Sequence, residues 1–282
     1  ATRAIPESPG SSMPPSHPPW TLRRPMAFNP RARDCGFRCL RFQSRRNPER
    51  AVDLMRYDVS ELITRFDHRT ADGGHLTGLL SSLVGEDLLI DVYTHYLQSQ
   101  GRTIVRLEGR PERDNAIAPD AGVRYLDAWL LLDQAEVRAV ECKTWTASSL
   151  DGKDIVGMSA RELVDYAKQE LATLSENLRQ DWWNQTNKVA LPLIAPRAHG
   201  EGALRISRAL VVWRPISYDG ESPESVVSAT TVDGKSNLVP VDVHVFSVSL
   251  YLRQLAASGV RYLPTGEANE GVVKSIDRIL QR

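Results

Sequence analysis

Residues 125–143 read YLDAWLLLDQAEVRAVECK, and the fold reading starts there. Two apolar runs rich in β-branched and aromatic residues flank the polar turn Asp133-Gln134-Ala135-Glu136, the pattern of an antiparallel hairpin with a short loop. Facing residues in such a pair sum to a constant. A three-residue loop at 133–135 pairs Leu132 with Glu136 and places Asp127 across from Glu141. Side chains alternate along a strand, so Lys143 shares the face of Glu141, and cross-strand Cβ atoms lie about 5 Å apart. Two carboxylates and an ammonium are therefore expected at one spot. A two-residue loop shifts the register by one and still leaves them close.

Facing like charges destabilise a strand pair unless positive charge lies between them. A hard divalent ion such as Mg²⁺ meets that need, because it takes one or two carboxylates and keeps water or phosphate at its other positions. The simpler alternative is a solvated hairpin face. Lys143 speaks against it: only six of the 35 basic residues are lysines, and this one lies in the apolar string Ala139-Val140-Glu141-Cys142-Lys143-Thr144-Trp145.

Outward from the hairpin, a long helix is predicted over 76–98, stopped by Gly101. Its stripe Leu79, Leu83, Glu86, Ile90, Tyr93, Leu97 alternates steps of four and three residues and keeps one face toward a core. Glu86 is the polar member. A buried carboxylate is costly without a partner or a cation, and Gly85 beside it allows close packing. A strand is expected at 102–107. The loop 108–124 contains Pro119-Asp120, but Asp120 would need a partner near residue 148, past the end of the strand. Asp127 is therefore preferred, with Asp120 as the fallback. After a soft segment at 146–157, a candidate substrate flap or plain surface loop, Ser159-Ala160-Arg161-Glu162 is a capping box. It opens a helix to about residue 184 whose apolar positions are Leu163, Ala167, Leu171, Leu174, Leu178 and Trp182. Strands follow at 203–216 and 239–248, with a loop or irregular hairpin between them, and helices at 249–257 and 269–281 close the chain. Ser60 is the expected cap of a short helix at 61–66. His244 reads as structural or edge-exposed.

Asp127, a short gap, and then Glu141-x-Lys143 on the next strand resemble the core motif of the PD-(D/E)xK nuclease superfamily, the restriction-endonuclease-like fold. Gly85-Glu86 resembles the acidic position on the helix before that hairpin. The resemblance spans about residues 76–216. It implies an α/β domain with an α-β-β-β-α-β core, a mixed sheet flanked by helices, and Mg²⁺, or Mn²⁺ in its place, held by Asp127, Glu141 and the Cys142 backbone carbonyl, with Glu86 reached through water. It makes Glu86, Asp127, Glu141 and Lys143 the catalytic set, with Gln169 on the following helix as a supporting candidate. The implied activity is phosphodiester hydrolysis in nucleic acid, DNA above all, by an endonuclease of restriction, repair or defence type. A homodimer and a methyltransferase or helicase partner also follow from it. The competing reading is a protein of the same fold that binds nucleic acid or protein without cutting.

Composition bounds these readings. The 282 residues suit one α/β domain plus an appendage. No apolar run approaches the 18 residues or so of a membrane span. Three cysteines are too few and scattered for a disulfide framework, and Cys35 and Cys39 lack the second ligand pair of a zinc site, so a cytoplasmic setting is the expectation. Net charge is zero, but residues 1–54 carry ten Arg and four acids, leaving 55–282 at −6. Any nucleic-acid surface must then be a local patch. Residues 1–54 also hold nine of the seventeen prolines and are expected to be a disordered tail, with one folded domain at 55–282. An organelle leader, a basic arm and translated upstream sequence all fit this tail, and Met55 directly precedes the first folded pattern. No Gly-rich phosphate loop or Gly-x-Ser-x-Gly elbow occurs.

Overall fold

The hairpin forms with the expected register and lies inside a six-stranded mixed sheet. The computed structural model describes residues 40–41, 56–67, 75–107, 126–147, 153–179, 189, 193, 205–232 and 238–264. The strands are β1 (Leu40–Arg41), β2 (Arg56–Asp58), β3 (Ile104–Arg106), β4 (Ala128–Leu132), β5 (Glu136–Lys143), β6 (Arg205–Val212), β7 (Glu224–Val232), β8 (Leu238–Ser247) and β9 (Tyr262–Pro264). The helices are α1 (Val59–Asp67), α2 (His75–Ser99), α3 (Ala160–Arg179) and α4 (Val248–Ala257).

The large sheet has the order β3-β4-β5-β6-β8-β7. β3, β4 and β5 are antiparallel neighbours, β6 runs parallel to β5, β8 parallel to β6, and β7 closes the far edge antiparallel to β8. Leu132 faces Glu136 and Ala128 faces Val140, the pairing that a three-residue loop dictates. Asp133 and Gln134 both take positive φ in that loop, and Asp133 is tied to β3 by hydrogen bonds from Arg102 and from the Thr103 amide. A small second sheet, β1-β2-β9, sits apart from the first. It draws Leu40–Arg41, part of the expected tail, into antiparallel pairing with Arg56–Asp58. The rest of that tail, the 108–124 loop with Asp120, Trp182 and the 269–281 helix lie outside the described residues.

Period-2 alternation divides the core between the two faces of the sheet. On one face, Val140, Val211, Trp213 and Phe246 pack with Leu62, Leu89, Tyr93 and Leu252 of α1, α2 and α4. On the other, Leu210, Val212, Val243 and Val245 pack with Leu171, Leu174 and Leu178 of α3. The capping box of α3 is formed: the Ser159 amide donates to Glu162 Oε2 (2.8 Å) and the Glu162 amide to Ser159 Oγ (3.3 Å). For α1 the cap is Asp58, whose Oδ1 accepts from the amides of Ser60 and Glu61. The expected cap, Ser60, is already inside the helix, because the carboxylate two residues earlier reaches the same free amides.

Two buried polar clusters hold elements together. Asp67, fully buried at the end of α1, accepts from Trp213 Nε1 (2.9 Å), Ser249 Oγ (2.6 Å) and Arg253 Nη2 (2.9 Å). One carboxylate thus joins α1, the residue after β6 and α4. At the start of β5, Arg138 donates to Glu136 (2.7 Å), Tyr93 Oη (2.7 Å) and Ser207 Oγ (3.0 Å), and Glu224 binds His244 Nδ1 (3.1 Å). His244 therefore lies on an inner strand within a polar network, the structural role, and not at an edge. The connection between β6 and β8 contains the full strand β7, which pairs along β8 from Glu224 to Val232. Among the described residues no helix is long and apolar enough to cross a membrane.

Candidate functional site

The pairing of β4 with β5 ends at Ala128 and Val140, and the next pair in that register is Asp127 and Glu141. Asp127 leaves the strand there. Its amide donates to the Val140 carbonyl (3.1 Å), and its Oδ2 accepts from the Cys142 amide (2.6 Å). A short bond from a backbone N–H to a carboxylate is charge-assisted, so the Asp127 side chain is held against the 141–142 step of β5.

Glu141 shares its face with Val137 and Ala139 and is completely buried. The Lys143 ammonium, two residues on and on the same face, forms an ion pair with Glu141 Oε1. Burying a carboxylate costs several kcal/mol unless such a charge accompanies it. Lys143 keeps about a fifth of its side chain in solvent, 21%, so the pair runs from the core to the surface. Cys142 points the other way into the α2 side of the core. Burial first, and then the charges of Asp127, Glu141 and Glu86, push its thiol well up, while Lys143 acts in the opposite sense. The thiol stays protonated and is no nucleophile. The charges of Glu86, Asp127, Glu141 and Lys143 thus all act on Cys142, but the direct contacts are Asp127 to the Cys142 amide and Lys143 to Glu141.

Glu86 differs from expectation in one respect: it is exposed. Ile90, Tyr93 and Leu97 of its stripe are buried. Glu86 stands one turn before that buried run and, being exposed, does not bear the desolvation expected of it, although its charge still acts on Cys142.

Gln169 is also exposed, with its carbonyl taken by Thr173 Oγ1 within the helix. The side of α3 that faces the sheet presents Tyr166, Ala167, Glu170 and Leu171 instead. Glu170 pairs with Arg214 (2.5 Å), both nearly buried. The amides of Trp213 and Arg214 donate to the carbonyls of Lys143 and Trp145, so Arg214 lies just beyond Val212, the register partner of Lys143. The sequence reading missed this pair. Its signal was the helical row Tyr166, Glu170, Leu174, in which a carboxylate sits between two apolar residues. From the soft segment, Ile155 is buried, its amide donates to the Asp67 carbonyl (3.3 Å), and the Lys153 ammonium lies over the Tyr166 ring at 4.7 Å.

Among the described residues, no three His, Cys, Asp or Glu side chains converge as a ready-made cage for a cation. Two carboxylates beside a backbone carbonyl, with water completing the shell, still match the oxygen chemistry of Mg²⁺, which seldom uses an all-protein cage. The donor set therefore fits such an ion. Chemically, the site offers the carboxylates of Asp127 and Glu141 near the end of the β4–β5 pairing and one ammonium, Lys143, that pairs with Glu141 and reaches solvent. The chain matches no family model, no curated protein and no solved structure.

Proposed function

We propose that the chain is a Mg²⁺-dependent nuclease of the PD-(D/E)xK type that hydrolyses phosphodiester bonds in DNA as an endonuclease. The observation that carries this reading is the placement of Asp127 against the Cys142 amide and of Lys143 on Glu141, where the pairing of β4 with β5 ends. The order α2, β3, β4, β5, α3, β6, with β6 parallel to β5, supports it, since it corresponds to the α-β-β-β-α-β order the resemblance implies. Asp127, Glu141 and the Cys142 carbonyl would hold the ion, and Glu86 would approach through water. Bound there, Mg²⁺ supplies neutralisation of phosphate charge and a more acidic water. Lys143 orients the attacking water and stabilises the negative charge that develops on the phosphoryl oxygens, its ammonium held in place by Glu141. Asp127 is held by the Cys142 amide through its Oδ2, so its carboxylate is oriented before substrate arrives.

Nicking of supercoiled plasmid with Mg²⁺ or Mn²⁺ tests the proposal. Lys143→Ala and Glu141→Ala are each expected to lose at least about 10²-fold in rate, the usual cost of removing one such electrostatic group. Equal activity in all three proteins would sink it.

The acidic balance of residues 55–282, −6 overall, favours a second reading, a binding module of the same architecture that does not cut. Isothermal titration with Mg²⁺ separates the two, because a module without chemistry has no ion site at the hairpin, and Glu141→Gln would then leave the titration unchanged.

A further inference from the structure

A second site lies at the opposite end of the sheet. The ladder between β6 and β8 starts only at Arg208 and Val243, so residues 205–207 and 241–242 run side by side without pairing to each other. A cavity of about 230 Å³ is lined there by Leu193, Arg205, Ile206, Ser207, Arg208, Val241, Asp242 and His244. Arg208 stands where the two strands come together. By alternation it shares the α3 face with Ile206, Leu210 and Val212, whereas Arg205, Asp242 and His244 belong to the other face, so the lining draws on both.

Among the described residues no carboxylate forms an ion pair with Arg208, and its Nη1 is out of contact with solvent and has no hydrogen-bond acceptor. Burial pushes its basicity down to about 10. The group remains a cation at neutral pH. Arg208 is partly buried, and a partly desolvated cation that lacks an acid at ion-pair distance costs stability. The buried guanidinium groups of Arg138 and Arg214 have their acids, Glu136 and Glu170. Leu193, Ile206 and Val241 make part of the wall apolar, and Arg205 adds a second positive charge against the single carboxylate of Asp242.

We infer that this notch binds a small organic oxyanion, its carboxylate or phosphate head on the Arg208 guanidinium and its apolar body against Leu193, Ile206 and Val241. The planar fork of arginine matches either head with two parallel hydrogen bonds. The inference is independent of the nuclease reading, since none of these residues belongs to the candidate site at the other end of β5.

Thermal unfolding of the full chain with benzoate, phenyl phosphate or inorganic phosphate tests it and separates the two head groups. A saturable rise of a few degrees in Tm is expected with benzoate or phenyl phosphate, a smaller rise with inorganic phosphate, and none in Arg208→Met. Without added anion, Arg208→Met should itself melt higher than the wild type, because the unbalanced charge is gone. The inference is overturned if neither organic anion shifts the wild type, or if Arg208→Met responds equally. Should the variant fail to fold, equilibrium dialysis of labelled phenyl phosphate against the wild type decides: one displaceable molecule per chain supports the site, and non-saturable or absent binding refutes it.

Discussion

Glu141 and Glu136 lie on the same strand and show how position sets the chemistry of a carboxylate. Glu141, at the C-terminal end of β5, is fully buried and relies on Lys143. Glu136, at the N-terminal end, is only partly enclosed. Burial pushes Glu136 upward, but hydrogen bonds from Ser207 and Arg138 and the guanidinium charges outweigh it and bring its pKa to about 2. A carboxylate with a depressed folded-state pKa stabilises the fold above its unfolded value and loses that contribution as pH falls. The wild type should therefore lose stability to acid between about pH 4.5 and about pH 2, over and above what other groups contribute. Urea midpoints across that window check this against Glu136→Gln, whose curve should be flatter; parallel curves would refute the assignment. Glu136 was legible only as the first residue after the turn. Its partners Ser207 and Arg138 come from positions that a local reading treats as ordinary strand residues.

At the level of elements, α3 is the most legible and also the most constrained. Its start follows from the Ser159–Glu162 box and its buried side from the Ala167, Leu171, Leu174, Leu178 row, both of which need only neighbours within a turn. What the helix packs against was not legible. Gly220, in the connection between β6 and β7, has φ +89°, and a Cβ built there would lie 2.5 Å from Val164 Cγ1 and 2.9 Å from its Cα. Both the left-handed conformation and the contact with backbone exclude a side chain. Gly220→Ala should destabilise by about 3 kcal/mol, the sum of a backbone penalty and an overpacking penalty of about 1–2 kcal/mol each. Chemical denaturation measures it, and a loss below about 1 kcal/mol would mean that the connection simply moves away. β7 escaped the sequence reading for a different reason. Of its inward positions only Val227 is a large apolar residue, while Ser225, Ala229 and Thr231 are small or polar although buried and Val226 on the outer face is apolar, so the alternation that marks a strand is faint, and pairing with β8 decides its structure.

For the whole molecule, the two faces of the sheet divide the work. The α2 side and the α3 side each have an apolar core, and Asp127, Glu141 and Lys143 lie where the pairing of β4 with β5 ends. If Mg²⁺ binds there only in the folded chain, it must also stabilise the fold. At about one hundred times its dissociation constant the gain is about 2.7 kcal/mol. Denaturation midpoints in Mg²⁺ and in EDTA should differ accordingly for the wild type and coincide for Glu141→Gln; a wild type indifferent to Mg²⁺ argues for the binding module.

The sequence by itself determined the hairpin, its register and the α3 cap, and with that register the placing of Asp127 across from Glu141, two residues from Lys143 on the same strand. Those features depend on alternation, turn length and capping, which act over a few residues. Only the tertiary structure decided that Glu86 is exposed, that Gln169 faces water while Glu170 pairs with Arg214, and that Asp67 collects Trp213, Ser249 and Arg253. Each of these depends on where one element ends against another, or on a partner more than forty residues away in the chain. Burial and long-range pairing have no local signature, because any exposed or apolar-flanked charge looks the same until the chain has folded around it.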